Sequence, residues 1–511
     1  MDYTPLVRGM FERRALRTRN WGRDGEEIQQ RVLRSLLRRA DSTWIGFKHD
    51  FASIANSGDV TARYARDLKP VEYEDIRPLV MRMISGERNL LWPGLCRDYA
   101  QSSGTSGGKS KFIPITRDSL HRTHYAGAAD TVAHYILNNP ESRMFCGKGF
   151  ILGGSFANEL NLKDPRVHVG DLSATLINRC PPMANLVRIP SKRIALMSDW
   201  TKKLPRLVHM AAKTNITNLS GVPSWFLAVI KGVLEQNHTD NLHDVWPNLE
   251  VFFHGGISFE PYRQIYRSIT DPERMHFVEN YNASEGFFAT QDLTDSNSML
   301  LILDNDIYYE FIPQGKTPDD ATGIAGVETG GVYELMITSS NGLWRYRMGD
   351  TVRIESTDPV RVSIVGRTKC YINAFGEELM EDNADKALAE ACRAQGCTVK
   401  DYTVSPVFAD RGRRGRHQWL IEWIKAPADI EAFTRRLDEE LRKLNSDYDA
   451  KRTGMYFLDM PEIISVPDGT FSEWLGSVGT GKLGGQRKVP RLSNDRQIAD
   501  QILSVIAASR S

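Results

Sequence analysis

The sequence predicts an α/β protein of two unequal parts: a large N-terminal domain of mixed α/β sheet with a β-rich subdomain, followed by a small α+β C-terminal domain. Three observations carry this. Apolar runs ending in turns alternate with helical segments between Lys148 and Tyr281; from Met299 the chain becomes mostly β; beyond "VGRTK" (Val365 to Lys369) two helices flank a hairpin pattern. A length of 511 residues agrees, being too great for one typical core.

The first hundred residues read mainly as helix. In "IQQRVLRSLLRRA", Ile28, Val32, Leu36 and Leu37 fall near helical spacing with arginines on the other face, the pattern of a helix packed on one side and solvated on the other. Then comes "SSGTSGGKS", Ser102 to Ser110, which resembles a Walker phosphate loop but fails the pattern: only three residues separate Gly104 from Gly108-Lys109-Ser110 where four are needed. Strands running into turns are expected at "KGFILGGSF" (Lys148 to Phe156), "TNITNLSG" (Thr214 to Gly221), "LEVFFHGG" (Leu249 to Gly256) and "MHFVENY" (Met275 to Tyr281), with "SWFLAVIKGVLEQN" as a helix between two of them. In such alternation ligands gather at the carboxyl ends of strands.

"MLLILDNDIYYEFIP" predicts a hairpin around Asp304-Asn305-Asp306, and "GVYELMITSSNGLWRYRMGDTVRI" another around Asn341-Gly342. The smaller unit has a helix near Glu378 to Gln395, a hairpin turning at "DRGRRGR" and a helix near Ala428 to Leu444. The stretch "VGTGKLGGQRKVPRLSND" is glycine-rich and basic without apolar periodicity, which predicts a mobile loop.

Sixty-five basic against 64 acidic residues leave a formal charge of +1, so no overall field favours nucleic acid or an anionic membrane, and neither is expected as a partner. The six cysteines are scattered without zinc spacing and are expected reduced and mostly buried. No long apolar run and no signal-peptide pattern are present; the expected address is cytoplasmic.

Four segments carry chemistry. "SSGTSGGKSKFIPIT" combines small hydroxyls and glycines, which free the backbone to wrap polyphosphate, with Lys109 and Lys111 to neutralise it, although a Gly/Ser stretch is also a common linker. In "ENYNASEG", Tyr281 can stack on a base, Ser284 can bond a phosphate and Glu285 can hold Mg²⁺, while a plain strand-to-helix turn with capping residues fits the same letters. "WRYRMGD" ends in Gly349-Asp350, and one carboxylate can accept hydrogen bonds from both ribose hydroxyls. "GGQRKVPRL" contributes Lys488.

Taken together and in this order, the segments resemble the acyl-adenylate-forming superfamily of acyl-CoA synthetases, peptide-synthetase adenylation domains and luciferases. More closely, the chain is identified as a member of the Gretchen Hagen three family of acyl-acid amido synthetases, the auxin-responsive proteins of plants that also occur in bacteria. The family signatures stand as "SSGTSGGKSK", "YNASEG" and "YRMGD", with further likeness at "LWPG", "GDLSA", "SGVPSW", "FFHGG", "GRTKCYINAFGEEL" and "GGQRKVPRL".

The resemblance implies ATP and Mg²⁺ as cofactors, and roles residue by residue. Ser103, Gly104, Thr105, Ser106 and Gly107 would cradle the β- and γ-phosphates, with Lys111 closing the loop. Gly255 and Gly256 would admit the adenosine, Tyr281 would lie by the adenine, Ser284 by the α-phosphate and Glu285 on the metal. Asp350, with Arg367 in support, would hold the ribose hydroxyls. Lys488 would bridge carboxylate and phosphate during adenylation, with Lys482 in "GTGK" as the alternative. Lys488, Lys111 and Glu285 are the residues expected to carry catalysis. Ser106 and Ala283 depart from the commonest family letters without removing a needed group.

The implied reaction is adenylation of a small carboxylic acid, then acyl transfer to the amine of an amino acid. The implied plan is an acyl-adenylate-forming domain over residues 1–365, a hinge at 366–369 and a mobile C-terminal domain over 370–511, in a monomer or weak homodimer. Transfer to a CoA or carrier-protein thiol, and a catalytically silent nucleotide-binding protein, are the alternatives. Phe156, Leu172 and Trp225 are candidates for the acyl pocket wall and equally for plain core.

Overall fold

The computed structural model describes the chain except residues 1, 103–110, 157, 159, 161, 163, 258, 295, 368–370, 410–413, 456–457, 478–488 and 510–511. It folds as two compact units. The first comprises Met1–Ser102, Lys111–Gly256 and Tyr266–Thr368, the second Ile257–Ile265 and Lys369–Ser511 among its described residues.

The strands of the first unit are β1 (Asp98–Ser102), β2 (Lys111–Ile115), β3 (Lys148–Ile151), β4 (His168–Gly170), β5 (Arg188–Ile189), β6 (Ile216–Gly221), β7 (Val251–His254), β8 (His276–Ala283), β9 (Gly286–Thr290), β10 (Met299–Leu301), β11 (Ile307–Pro313), β12 (Val332–Ser339), β13 (Leu343–Thr357) and β14 (Val360–Arg367). Eleven of them form one sheet in the order β11-β12-β13-β14-β10-β9-β8-β7-β6-β3-β5, and β2-β1-β4 form a second. The large sheet changes character at β8. From β5 through β3, β6 and β7 to β8 the strands are parallel; β8 then pairs antiparallel with β9, and every later pairing is antiparallel. The alternating α/β stretch and the β-rich stretch of the sequence are thus two halves of one sheet.

The N-terminal helices pack on it as their patterning demands. Helix Trp21–Ala40 buries Ile28, Val32, Leu33, Leu36 and Leu37, each a gain of about 1.5–3 kcal/mol when fully removed from water. The same face carries a polar residue, Gln29, whose Nε2 donates to Leu303 O (2.7 Å) and Ile307 O (3.0 Å) while its Oε1 accepts from Tyr309 N (2.8 Å).

That glutamine explains why one expected hairpin does not form. The runs around Asp304-Asn305-Asp306 become β10 and β11, but β10 pairs with β9 and β14, and β11 pairs with β12. Backbone groups that would have met across the hairpin are taken by Gln29. Asn305 Nδ2 donates to Phe287 O (2.6 Å), Arg39 pairs with Asp306, and Asp306 adopts φ +63°, so the connection turns away between strands that lie apart. The hairpin around Asn341-Gly342 does form, with Ser339 opposite Leu343 and Gly342 at φ +87°.

The second unit contains β15 (Tyr371–Ile372), β16 (Leu379–Met380), β17 (Thr398–Val407), β18 (Arg416–Lys425) and β19 (Glu462–Val466). The expected hairpin is β17–β18, antiparallel, with β19 added parallel; residues 410–413 of its turn lie outside the described residues. The expected helices are Glu381–Gln395 and Ile430–Leu444, the latter capped by Asp429, which accepts from Glu431 N and Ala432 N. Trp419 stacks on Tyr402 in the core of this unit, and Arg452 reaches Asp438 with two nitrogens, a buried pair with both charges matched.

Candidate active site

The parallel strands β3, β6, β7 and β8 bring the expected ligand-facing turns to one end of the sheet. Gly255 follows β7. A side chain there would put its first carbon 2.4 Å from Asn280 O and 2.8 Å from Asn280 Oδ1, so the glycine lets β7 run against β8. Gly256 has φ +84°, a conformation other residues adopt only with strain.

On β8, Tyr281 is 5% exposed, and its hydroxyl donates to Oδ2 of Asp350 on β13 (2.7 Å), itself 7% exposed. Arg367, on β14, lies opposite Asp350 in the strand register. Ser284 and Glu285 form the two-residue connection between β8 and β9, flanked by the Ala283–Gly286 pair, and Glu285 is 8% exposed. The bulk of a strand-to-helix turn is absent; the chain reverses into another strand. Lys111 opens β2, is buried, and donates from Nζ to the Tyr346 hydroxyl at 3.5 Å. Strand β13 therefore meets Lys111 through Tyr346 and Tyr281 through Asp350.

Ser103, Gly104, Thr105, Ser106 and Gly107, like Lys488 and Lys482, lie outside the described residues.

Strand β13 is held by charges that sequence reading passed over. Arg345, at φ +45°, donates from Nε to both carboxylate oxygens of Glu310 (3.1 Å each) and from Nη1 to Ala65 O and Leu68 O. Burial pushes the Glu310 carboxyl up while Arg345 draws it down. Arg347 likewise spans Glu334 and Glu72. Such a clamp fixes a strained backbone at the place where the strand must present Tyr346 and Asp350.

At the head of β3 the backbone of "GGSF" is held by three side chains. Lys203 Nζ donates to Gly153 O (2.7 Å), Gly154 N donates to Ser173 Oγ (2.9 Å) and Ser155 N donates to Asp171 Oδ2 (2.7 Å). Asp171 and Ser173 belong to "GDLSA". Nothing in the sequence marked Lys203, one lysine in a helix of several; burial pushes its ammonium down to about 8, against the pull of Asp171. Phe156 packs on His168, and Trp225 on Trp200, at ring distances of 5.2 and 6.3 Å. Leu172 packs half-buried against the main core. His124 is another residue without a sequence signal: it is buried, Nδ1 lies 3.2 Å from Asn282 Oδ1, and burial pushes it down to about 4 despite that contact.

Residues 17–275 match the GH3 family N-terminal domain, 300–367 the GH3 family central domain and 382–497 the GH3 family C-terminal domain. The chain belongs to the Gretchen Hagen three, or GH3, family. Lys111 and Gly255 fall in the N-terminal match, Asp350 and Arg367 in the central one, Lys488 in the C-terminal one, and Tyr281 to Glu285 between the first two. This GH3 chain is similar to the indole-3-acetic acid-amido synthetases GH3.4 and GH3.3 of Arabidopsis thaliana, at 24% and 23% identity, with 92% of this chain and 89% of each relative aligned. Among solved structures, the GH3.15 acyl acid amido synthetase in complex with 2,4-DB aligns over 94% of both chains at TM-score 0.59 and 18% identity. The 2-hydroxyisobutyryl-CoA ligase in complex with 2-HIB-AMP and CoA aligns over 95% of this GH3 chain and 92% of its own at TM-score 0.56 and 11% identity. At these identities the likeness is one of fold, and it covers nearly the whole of each chain. Among the described residues, no helix is long and apolar enough to cross a membrane.

Proposed function

We propose that this GH3 protein is an acyl-acid amido synthetase, joining a small carboxylic acid to an amino acid with ATP. The observation that carries the reading is the Tyr281–Asp350 hydrogen bond at the switch strand, in a chain matched along its length to GH3 domains. It sets an aromatic ring beside a carboxylate, the pair of groups that a base and a ribose require.

The acid's carboxylate oxygen attacks the α-phosphorus of ATP, the bond to the bridging oxygen breaks, and pyrophosphate leaves. The amine nitrogen of the amino acid then attacks the acyl carbon, loses a proton and expels AMP. Asp350, with Arg367, holds the ribose; Tyr281 lies by the adenine; Ser284 binds the α-phosphate. Ser103, Gly104, Thr105, Ser106 and Gly107 wrap the β- and γ-phosphates with Lys111. Lys488 steadies charge on the oxygens during the first step, and removing one such contact costs about 3 kcal/mol of barrier. Glu285 offers one hard carboxylate, the donor Mg²⁺ takes when substrate phosphates supply most of its other ligands. When bound, Mg²⁺ neutralises charge on those phosphates.

Residues 366–369 act as the hinge between a domain over 1–365 and a mobile domain over 370–511, so that Lys488 serves adenylation and withdraws for transfer. The protein works in the cytoplasm as a monomer or weak homodimer.

ATP–pyrophosphate exchange over a panel of carboxylic acids, followed by product mass spectra with mixed amino acids, tests the reading. Exchange with at least one acid and an amide product are expected. Thioester products with CoA in place of amides, or ATP binding without exchange, would overturn it.

A further inference from the structure

We propose that Asn341 is a positioning residue for the Glu285 carboxylate, holding the β8–β9 turn by hydrogen bonds to its backbone; this rests on the reading of Glu285 as the Mg²⁺ carboxylate. Asn341 sits at the tip of the β12–β13 hairpin with no solvent exposure. Its Nδ2 donates to Glu285 O at 2.9 Å and lies 3.4 Å from Ser284 O, the carbonyls of both residues of the turn. Those two carbonyls also settle the amide's orientation, because the flipped form would set oxygen against oxygen.

The hairpin tip is fixed by other bonds. Thr116 Oγ1 donates to Ser340 O (2.7 Å), Gly342 N donates to Ser339 O (3.0 Å), and Gly342 lies tight against Leu91. The Asn341 amide thus ties a rigid loop to the turn that carries Glu285. Its own Oδ1 is buried and has no partner among the described residues. The amide's hydrogens go to the two carbonyls of the turn, so the side chain acts on the backbone that carries Glu285. A carboxylate on a two-residue connection inherits every displacement of that backbone, and misplacement by about 1 Å is enough to weaken a charged contact severely.

The test uses the full chain with Mn²⁺ as a paramagnetic probe and a non-hydrolysable ATP analogue. Metal affinity is read by electron paramagnetic resonance, alongside the half-saturating Mg²⁺ in pyrophosphate exchange. Asn341→Ala and Asn341→Leu should each weaken Mn²⁺ about tenfold, which corresponds to roughly 1.4 kcal/mol. Thr116→Val cuts the other anchor of the same loop, and should lower the melting temperature while leaving Mn²⁺ affinity within about twofold of wild type. Glu285→Ala is measured in parallel. If Glu285→Ala weakens Mn²⁺ and the Asn341 variants do not, the positioning role is overturned. Equal weakening in Thr116→Val would also overturn it, since general loosening would then suffice. If Glu285→Ala leaves Mn²⁺ unchanged, the metal reading of Glu285 itself fails.

Discussion

The Tyr281 hydroxyl donates a 2.7 Å hydrogen bond to Asp350 Oδ2, joining the strand where the sheet turns from parallel to antiparallel to a strand four places further along it. The Tyr281 ring also tilts against Phe288 at 4.8 Å, so ring and hydroxyl are both constrained. A hydrogen bond to a buried carboxylate contributes about 1.5–3 kcal/mol.

Tyr281→Phe keeps the ring and removes the hydroxyl. Urea denaturation should show a loss of about 1.5–3 kcal/mol, and the KM for ATP should rise roughly three- to tenfold as the carboxylate loses its fixed orientation, with a smaller change in kcat. An unaltered KM would mean that Asp350 holds its place without the tyrosine.

Gly255→Ala drives a carbon to 2.4 Å from Asn280 O. Asn280 is the residue before Tyr281, and the contact is backbone, so β8 itself must shift. A destabilisation of about 1–3 kcal/mol is expected, together with weaker binding of ATP by calorimetry. Gly256→Ala meets no such contact, Val222 being 3.6 Å away, and should act through its φ of +84°, costing about 1 kcal/mol.

His124 binds a proton more weakly in the folded chain than in the unfolded one, because burial pushes it down from 6.5 to about 4. Its contribution is therefore complete above pH 6.5 and is lost as pH falls through that interval, by up to about 3 kcal/mol. His124→Gln should flatten the acid side of the stability profile by that amount. Denaturation of both proteins at pH 7 and pH 4 gives the difference.

Lys203 acts with the same sign in a more alkaline window. Burial lowers its ammonium from 10.5 to about 8, so the folded protein sheds a proton that the unfolded chain keeps, and stability from this group rises between those values by up to about 3 kcal/mol. Lys203→Met should abolish that alkaline gain. Because Lys203 also holds Gly153 O, the variant should raise the KM for the carboxylic acid while the KM for ATP stays unchanged. Equal shifts in both constants would place the lysine's effect elsewhere.

Much of this protein was legible in its sequence. Periodicity marked the helix Trp21–Ala40 and its buried stripe, the four strands β3, β6, β7 and β8, the β12–β13 hairpin and the β-rich half, because local alternation and turn chemistry are properties of neighbouring residues. The order of the signature segments was enough to point to the GH3 family, which the domain matches establish. What pairing alone could decide was different. The runs on either side of Asp304-Asn305-Asp306 look like a hairpin and are not one, since Gln29, some 270 residues earlier, takes their backbone groups. Tyr281 meets Asp350, Asn341 meets Glu285, and Lys203 meets Gly153 only because the sheet order sets distant strands and helices side by side. A side chain's type is written in the sequence, whereas its partner, and with it the burial that moves His124 and Lys203 from their ordinary ionisation, exists only once the chain has folded.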